Sequence, residues 1–152
     1  MSSISHTSVP LNSASGAGPF PALADLVGRL AIAALFLPAG LNKIAGFEGT
    51  VGYIQSAGLP MATAGAVLAI LIEVLGGVAL IAGYRIRITA LVLAAFTFVA
   101  TVIFHAFWAV PADQAFMQQL MFFKNVGVIG GLLVLAAAAP GRWTLDARSE
   151  PR

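Results

Sequence analysis

The chain has 152 residues, of which 59% are hydrophobic and only 9% are charged. Soluble domains carry about 25% charged residues because a surface that faces water requires them, so this composition argues against a soluble globule and indicates a protein embedded in lipid. The net charge of +2 is not concentrated in a basic stripe with interleaved aromatic residues, which argues against nucleic acid as a partner. The absence of cysteine excludes disulfides, thiol redox chemistry and cysteine-based zinc or iron–sulfur sites.

The first part of the chain, residues 1–21, is rich in Ser, Gly, Ala and Pro and predicts a disordered tail. It has no Lys or Arg, so it lacks the positive start of a signal peptide. Four apolar runs follow, at 23–41, 61–81, 88–110 and 118–139. Each is long enough to cross a hydrocarbon core of about 30 Å as a helix, and a helix bonds its own backbone amides, as lipid requires. We therefore predict an all-α integral membrane four-helix bundle over 22–140, with a C-terminal tail at 141–152.

The connections between the runs differ in length and pattern. The second connection, at 83–87, is short, so the helices on either side of it should be antiparallel neighbours. In the first connection, Phe47, Val51 and Ile54 recur at helical spacing. This spacing predicts a short amphipathic helix at 47–57 that lies on the outer face of the membrane crossed by the bundle. An irregular loop is the alternative for this stretch. Pro38 is expected to bend the outer end of the first helix.

Positive charges are unequally divided between the two ends of the predicted bundle. One end holds the arginines of the second connection and of the C-terminal tail, namely Arg85, Arg87, Arg142, Arg148 and Arg152. The other end holds Lys43, and Lys124 lies a little inside the fourth span. Because positively charged connections stay in the cytoplasm, both termini are predicted to be cytoplasmic.

Glu73 lies near the middle of the second predicted span. An unpaired charge at the centre of a membrane helix costs about 2.5–3.5 kcal/mol, so Glu73 is expected to be protonated, paired or hydrated. Arg29 lies at a comparable depth in the first span, and an ion pair with Glu73 would link the two helices. Asp25 competes for Arg29 because it lies one turn earlier on the same helix face. The sequence leaves open whether these groups form a structural ion pair or a proton relay.

A second set of polar side chains is expected nearer the outer leaflet. Thr97, Thr101 and His105 recur every four residues and form a polar stripe on the third helix. Three helices send polar groups to this level, which predicts a ligand site there. Its candidate residues are His105, Trp108, Lys124, Asn125, Asn42 and Lys43. A hydrogen-bonded structural histidine without a ligand is the alternative, and no metal site is indicated because His6 and His105 are the only histidines.

Five motifs in a fixed order resemble those of one membrane-protein family. They are Arg29 with Phe36-Leu-Pro-Ala-Gly-Leu-Asn-Lys43, then Gly58-Leu-Pro, then Glu73 with Gly76-Gly77 and Gly83-Tyr-Arg, then His105-Ala-Phe-Trp108, then Lys124-Asn125 with Gly130-Gly131-Leu-Leu. On these motifs, which extend over nearly all of the chain outside the tails, the protein resembles the DoxX family. The resemblance implies a small four-helix protein of the bacterial inner membrane. The residues that match the family's polar motifs are Arg29, Asn42, Lys43, Glu73, His105, Trp108, Lys124 and Asn125.

The polar residues and the resemblance leave two functions open. The first is an accessory subunit or small-ligand-binding module in the lipid bilayer, with no evident cofactor. The family is named for its likeness to a subunit of an archaeal quinone-linked thiosulfate oxidoreductase, so the alternative is a quinone-reactive subunit with partner oxidoreductase subunits. There, His105 or Lys124 would hydrogen-bond a quinone carbonyl and Glu73 would relay protons. Enzymatic activity and a homo-oligomeric state are both left open. A transporter is disfavoured because neither inverted repeats nor broken helices are evident.

Overall fold

The computed structural model describes residues 19–138 and 141–149. Its helices are α1 (Pro19–Ala45), α2 (Phe47–Ser56), α3 (Ala62–Ala82), α4 (Ile86–Phe104), α5 (Ala112–Ala137) and α6 (Asp146–Ser149), with a short 3-10 turn at Phe107–Ala109. The spans built on α1, α3, α4 and α5 are long and apolar enough to cross a membrane. The predicted all-α membrane bundle is therefore confirmed. Residues 1–18 of the predicted tail at 1–21 lie outside the described part of the chain, as do residues 139–140 and 150–152.

Several helix ends differ from those predicted from hydropathy. Residues 19–21, which the sequence assigns to the tail, form the first turn of α1, because proline is well placed in a first turn where its missing N–H is not needed. The third apolar run extends to Val110, but α4 ends at Phe104 and gives way to the 3-10 turn. Since Pro111 follows that turn, α5 begins at Ala112, earlier than its apolar run.

The bundle is held together where small residues let helices approach closely, as in other membrane proteins. α1 packs on α3 and α4 packs on α5, and the short connection makes α3 and α4 antiparallel neighbours. A Cβ atom added at Gly76 would lie 2.8 Å from Cδ2 of Leu93, and one added at Gly77 would lie 3.0 Å from Cβ of Leu37. The core between these helices includes the fully buried Leu80.

The first connection forms a helix, α2, rather than an irregular loop. Its buried Ile54 packs against Ala62 and Ala66 at the start of α3. Its Tyr53 stacks on Phe104 at the end of α4, with 5.1 Å between the ring centroids. α2 therefore bridges the first turns of α3 and the last turn of α4, and it forms one wall of the bundle at that end.

The C-terminal segment, residues 141–149, binds the opposite end of the bundle. The backbone N–H groups of Leu145 and Asp146 donate to the carbonyl oxygens of Ala82 (3.3 Å) and Gly83 (3.1 Å). The Asp146 carboxylate accepts hydrogen bonds from the N–H groups of Arg85 (2.6 Å) and Ile86 (2.8 Å), and so it caps the N-terminus of α4. The C-terminal segment and the α3–α4 connection thus lie at the same end, which carries most of the arginines.

Candidate functional site

Arg29 is fully buried at the C-terminal end of α3, with none of its side chain exposed. Its Nη1 donates to the carbonyl oxygens of Leu80 (2.7 Å) and Ile81 (3.1 Å). Its Nη2 donates to the carbonyl oxygen of Trp143 (3.0 Å), and its Nε donates to Asp25 Oδ2 (3.0 Å). The guanidinium therefore occupies the negative end of the α3 helix, where a cation is favoured.

The ion pair expected between Arg29 and Glu73 is not formed. Glu73 precedes Leu80 by seven residues in α3, which is about 10 Å along the helix axis. Arg29 bonds instead to the backbone at the end of that helix and to Asp25, the competing partner on its own helix. The three groups predicted to act together are thus divided between two places, with Arg29 and Asp25 in one and Glu73 in the other.

Glu73 pairs with Lys43, a residue that the sequence assigns to the separate polar set nearer the outer leaflet. The Nζ atom of Lys43 lies 2.9 Å from both Oε1 and Oε2 of Glu73. The Glu73 side chain is 7% exposed and that of Lys43 is 31% exposed. A partly exposed lysine thus brings its ammonium to a buried carboxylate, and the pair links α1 to α3.

Gly40 brings the two helices close enough for this pair to form. A Cβ atom added at Gly40 would lie 2.7 Å from Cγ2 of Val74 and 3.1 Å from Cβ of Glu73. Lys43 follows Gly40 by three residues, so its side chain lies on nearly the same helix face as the contact. The close approach of α1 and α3 therefore sets the distance between the ammonium and the carboxylate.

Gly40→Ala is expected to destabilise the bundle by about 1–3 kcal/mol, as overpacking of a well-packed contact does. The matched control is Gly28→Ala on the same helix, because a Cβ atom there meets nothing within 4 Å. That control should be neutral or slightly stabilising, since alanine favours helix more than glycine does. Thermal unfolding of the detergent-solubilised protein measures both. Equal melting temperatures for the two variants would contradict the close contact at Gly40.

A cavity of about 510 Å³, partly open at the surface of the bundle, is lined by residues of α1, α2, α3, α4 and α5. Its walls are mainly apolar and include Phe36, Leu68 and Phe96. Tyr53 and Ile54 of α2 line it, and Ile54 also packs against the start of α3. The helix predicted for the first connection therefore contributes directly to the site.

Five of the predicted candidate site residues line this one cavity: Lys43, Glu73, His105, Lys124 and Asn125. His105 Nδ1 lies 2.8 Å from Gln118 Oε1. Because an amide oxygen only accepts hydrogen bonds, Nδ1 is the donor in this contact. Asn125 Nδ2 donates to Thr101 Oγ1 at 2.9 Å, and Thr101 Oγ1 in turn donates to the backbone oxygen of Thr97 at 2.6 Å.

Two of the predicted ligand-site residues do not line the cavity. Trp108 is 61% exposed and packs edge-on against Phe107 and Phe122, outside the cavity. Its predicted position assumed that the helix continues past His105, but α4 ends at Phe104 and the chain turns there. Asn42 is exposed on α1 and does not line the cavity, so its place in the predicted site is also corrected.

Gln118 and Tyr53 contribute to the site without having been predicted for it. The signal for Gln118 was available, because it precedes Asn125 by seven residues and therefore lies on the same face of α5. For Tyr53, no spacing rule indicates that α2 folds against α3 and the end of α4. Among residues 19–138 and 141–149, no three His, Asp or Glu side chains gather as metal ligands.

Comparisons with known proteins place this architecture among inner-membrane proteins. The DoxX family model matches residues 24–106. The chain is 34% identical to the Escherichia coli (strain K12) inner membrane protein YphA over 123 residues, which are 81% of this chain and 88% of that protein. It is 38% identical to inner membrane protein YqjF of the same organism over 121 residues, which are 80% of this chain and 88% of that protein.

A weaker likeness extends to eukaryotic proteins. The chain is 30% identical over 70 residues to a Surfeit locus protein 4 homolog of Schizosaccharomyces pombe, which is 45% of this chain and 23% of that protein. No solved structure matches the chain.

Proposed function

The chain belongs to the DoxX family and is a multi-pass protein of inner-membrane type, and from this premise we propose that it binds one small amphipathic molecule inside its helix bundle. Pockets for small molecules measure about 300–1,000 Å³ and are mostly apolar with a few convergent polar groups. The cavity of about 510 Å³ has this size and this composition. An apolar ligand body would contact Phe36, Leu68 and Phe96, and a polar head would lie near His105 and Lys124.

The observation that carries the proposal is that Lys124 has no strong hydrogen-bond acceptor among the described residues. Within the described part of the chain, its ammonium contacts only the thioether sulfur of Met121, at 3.4 Å. An ammonium has three donors, and a thioether sulfur is a weak acceptor. Lys124 lines the cavity and is exposed rather than buried in the protein, so its ammonium is open to a ligand. A ligand with a hydrogen-bond acceptor at this position would satisfy the ammonium.

The other polar groups are suited to orienting a ligand. Lys43 and Glu73 hold each other through two contacts of 2.9 Å. Asn125 and His105 are each fixed by a neighbouring side chain, Thr101 and Gln118 respectively. Prepositioned polar groups around an apolar volume bind and orient a molecule with little loss of side-chain freedom. We therefore favour a ligand-binding module or accessory subunit over an independent catalyst.

Native mass spectrometry of the protein released from its own membrane tests this function. We expect a small molecule bound to the wild-type protein. Its occupancy should fall through the series Ala100→Leu and Ala100→Phe, because Ala100 lines the cavity and larger side chains fill it. Ala95→Phe is the matched control, since Ala95 is exposed on the same helix and does not line the cavity.

Circular dichroism of each Ala100 variant separates loss of the ligand from loss of the fold. Full occupancy in a folded Ala100→Phe protein would place the molecule outside the cavity. A wild-type protein without any bound molecule, whose melting temperature responds to no added amphiphile, would overturn the proposal. The same spectra report partner chains and the number of copies of this chain.

A quinone is the second candidate ligand, and one observation favours it: Glu73 and His105, which can both exchange protons, line the same apolar cavity. With Nδ1 donating to Gln118, the Nε2 atom of a neutral His105 is an acceptor, so Lys124 rather than His105 would donate to a quinone carbonyl. In this alternative the chain would be a quinone-reactive subunit working with partner oxidoreductase subunits. Quinone in the solvent extract, and a higher melting temperature with decylubiquinone, would favour it. Absence of both would exclude it.

A further inference from the structure

We propose that the molecule bound in this cavity has an anionic head group and that Lys124 is the residue that selects it. The inference rests on the proposed ligand-binding function and adds the chemical class of the ligand. It follows from the balance of charges around the cavity, from the partners of each charged group and from the position of Lys124 in α5.

The charged residues that line the cavity are two lysines and one glutamate, Lys43, Lys124 and Glu73. Glu73 is engaged by Lys43 through both of its carboxylate oxygens, each 2.9 Å from Nζ. This pair is neutral as a whole, and it engages Glu73, the acidic residue that lines the cavity. One positive charge is left over, and it is that of Lys124.

The surplus charge lies a little inside the fourth span, and Lys124 is exposed rather than buried in the protein. Lysines near helix ends extend their side chains to the membrane surface. Lys124 lies six residues into the apolar run at 118–139, about 9 Å at the rise of a helix, and it lines the cavity. A charge at this position is stabilised by an opposite charge much more than by a neutral acceptor, because the surroundings are apolar.

The neutral polar groups of the site strengthen this preference. The amide N–H group of Asn125 is already donated to Thr101, and the amide oxygen of Gln118 already accepts from His105. Neither residue brings a negative charge to the site. A carboxylate, sulfonate or phosphate head group would therefore meet the ammonium without a competing anion, whereas a cationic head group would be repelled.

Binding of three amphiphiles that share one alkyl chain tests the proposal. Decanoate, decanol and decyltrimethylammonium are titrated into the full-length protein in nanodiscs of zwitterionic phosphatidylcholine, with empty nanodiscs as the blank. We expect saturable binding of decanoate about tenfold or more tighter than that of decanol, as for a hydrogen bond to a charged group. Decyltrimethylammonium should bind more weakly than decanol.

Variants at Lys124 assign the selectivity to one residue. Lys124→Met keeps an unbranched side chain, so it should keep the affinity for decanol and lose the advantage of decanoate. Lys124→Arg keeps the charge and should retain that advantage. Equal wild-type affinities for decanoate and decanol, tighter binding of the cation, or a preference that persists in Lys124→Met would each overturn the proposal.

Two further arms separate the remaining explanations. If decanol and decanoate bind equally and Ala100→Phe abolishes both, the ligand-binding function stands and the selection of anions fails. If no probe binds and Ala100→Phe changes nothing, the ligand-binding function itself fails. Repeating the titration with phosphatidylglycerol in the nanodisc identifies the source of the anion. Competition with decanoate indicates a membrane lipid head group, and the absence of competition indicates a free amphiphile.

Discussion

Arg29→Gln is expected to be the most destabilising single substitution considered for this bundle. It removes the donors to the carbonyl oxygens of Leu80, Ile81 and Trp143 and leaves the Asp25 carboxylate without its partner. Breaking a buried charged pair by removing one member costs about 3–5 kcal/mol. The loss should appear as a lower melting temperature of the detergent-solubilised protein.

Arg29→Lys is the conservative variant to compare with this substitution, and Arg148→Gln is its surface control. Lysine restores the charge but cannot present the planar fork of donors that reaches several carbonyls at once, so its stability should lie between those of the wild type and Arg29→Gln. Arg148 is exposed, and Arg148→Gln should be within about 0.5 kcal/mol of the wild type, as is usual for surface substitutions. An Arg29→Gln protein as stable as Arg148→Gln would show that the guanidinium does not hold the end of α3.

The Lys43–Glu73 pair is expected to respond asymmetrically to the loss of each partner. Lys43→Met leaves a carboxylate that is only 7% exposed without a donor, which should cost about 1–3 kcal/mol, the penalty of an unsatisfied buried group. Glu73→Gln leaves a lysine that is 31% exposed and can turn towards water, so its effect should be smaller. The double variant should be more stable than Lys43→Met alone, because no unpaired charge is then buried.

A double-mutant cycle measures this coupling from the unfolding of the wild type, both single variants and the double variant. We expect an interaction free energy of about 0.5–3 kcal/mol, the range for residues in direct contact. The control cycle combines Glu73→Gln with Arg148→Gln, at the other end of the bundle, and should be additive within about 0.5 kcal/mol. Additive losses for Lys43 and Glu73 would contradict their pairing.

The lengths of the apolar runs were enough to predict the number of membrane helices, because a span must both cross the hydrocarbon and bond its own backbone. They did not define the helix ends. Hydropathy continues unbroken through His105 to Val110, whereas the backbone turns after Phe104. Trp108 was therefore assigned to a helix face that does not exist, while His105, one residue past the end of α4, still lines the cavity.

The partner of Arg29 could not be predicted from side chains. Counting residues from the ends of two spans places Arg29 and Glu73 at comparable depths, which predicts an ion pair between them. The acceptors that Arg29 uses are backbone carbonyls at the end of α3 and in the C-terminal segment. Every residue has such a carbonyl, so no sequence pattern marks them. The sequence places Lys43 nearer the outer leaflet than Glu73, but its side chain reaches Glu73 along the close α1–α3 contact.

The hydrogen bond from Arg29 to Trp143 joins residues 114 positions apart, which fixes an order of events during synthesis. The ribosome completes α1 long before Trp143 exists, so the guanidinium enters the bilayer before it has its full set of acceptors. Asp25 is the partner already present, one turn away on the same helix. We therefore expect Asp25 to be the first partner of the arginine during insertion. It also follows that a chain truncated before residue 141 would leave Arg29 without the carbonyl acceptor of Trp143.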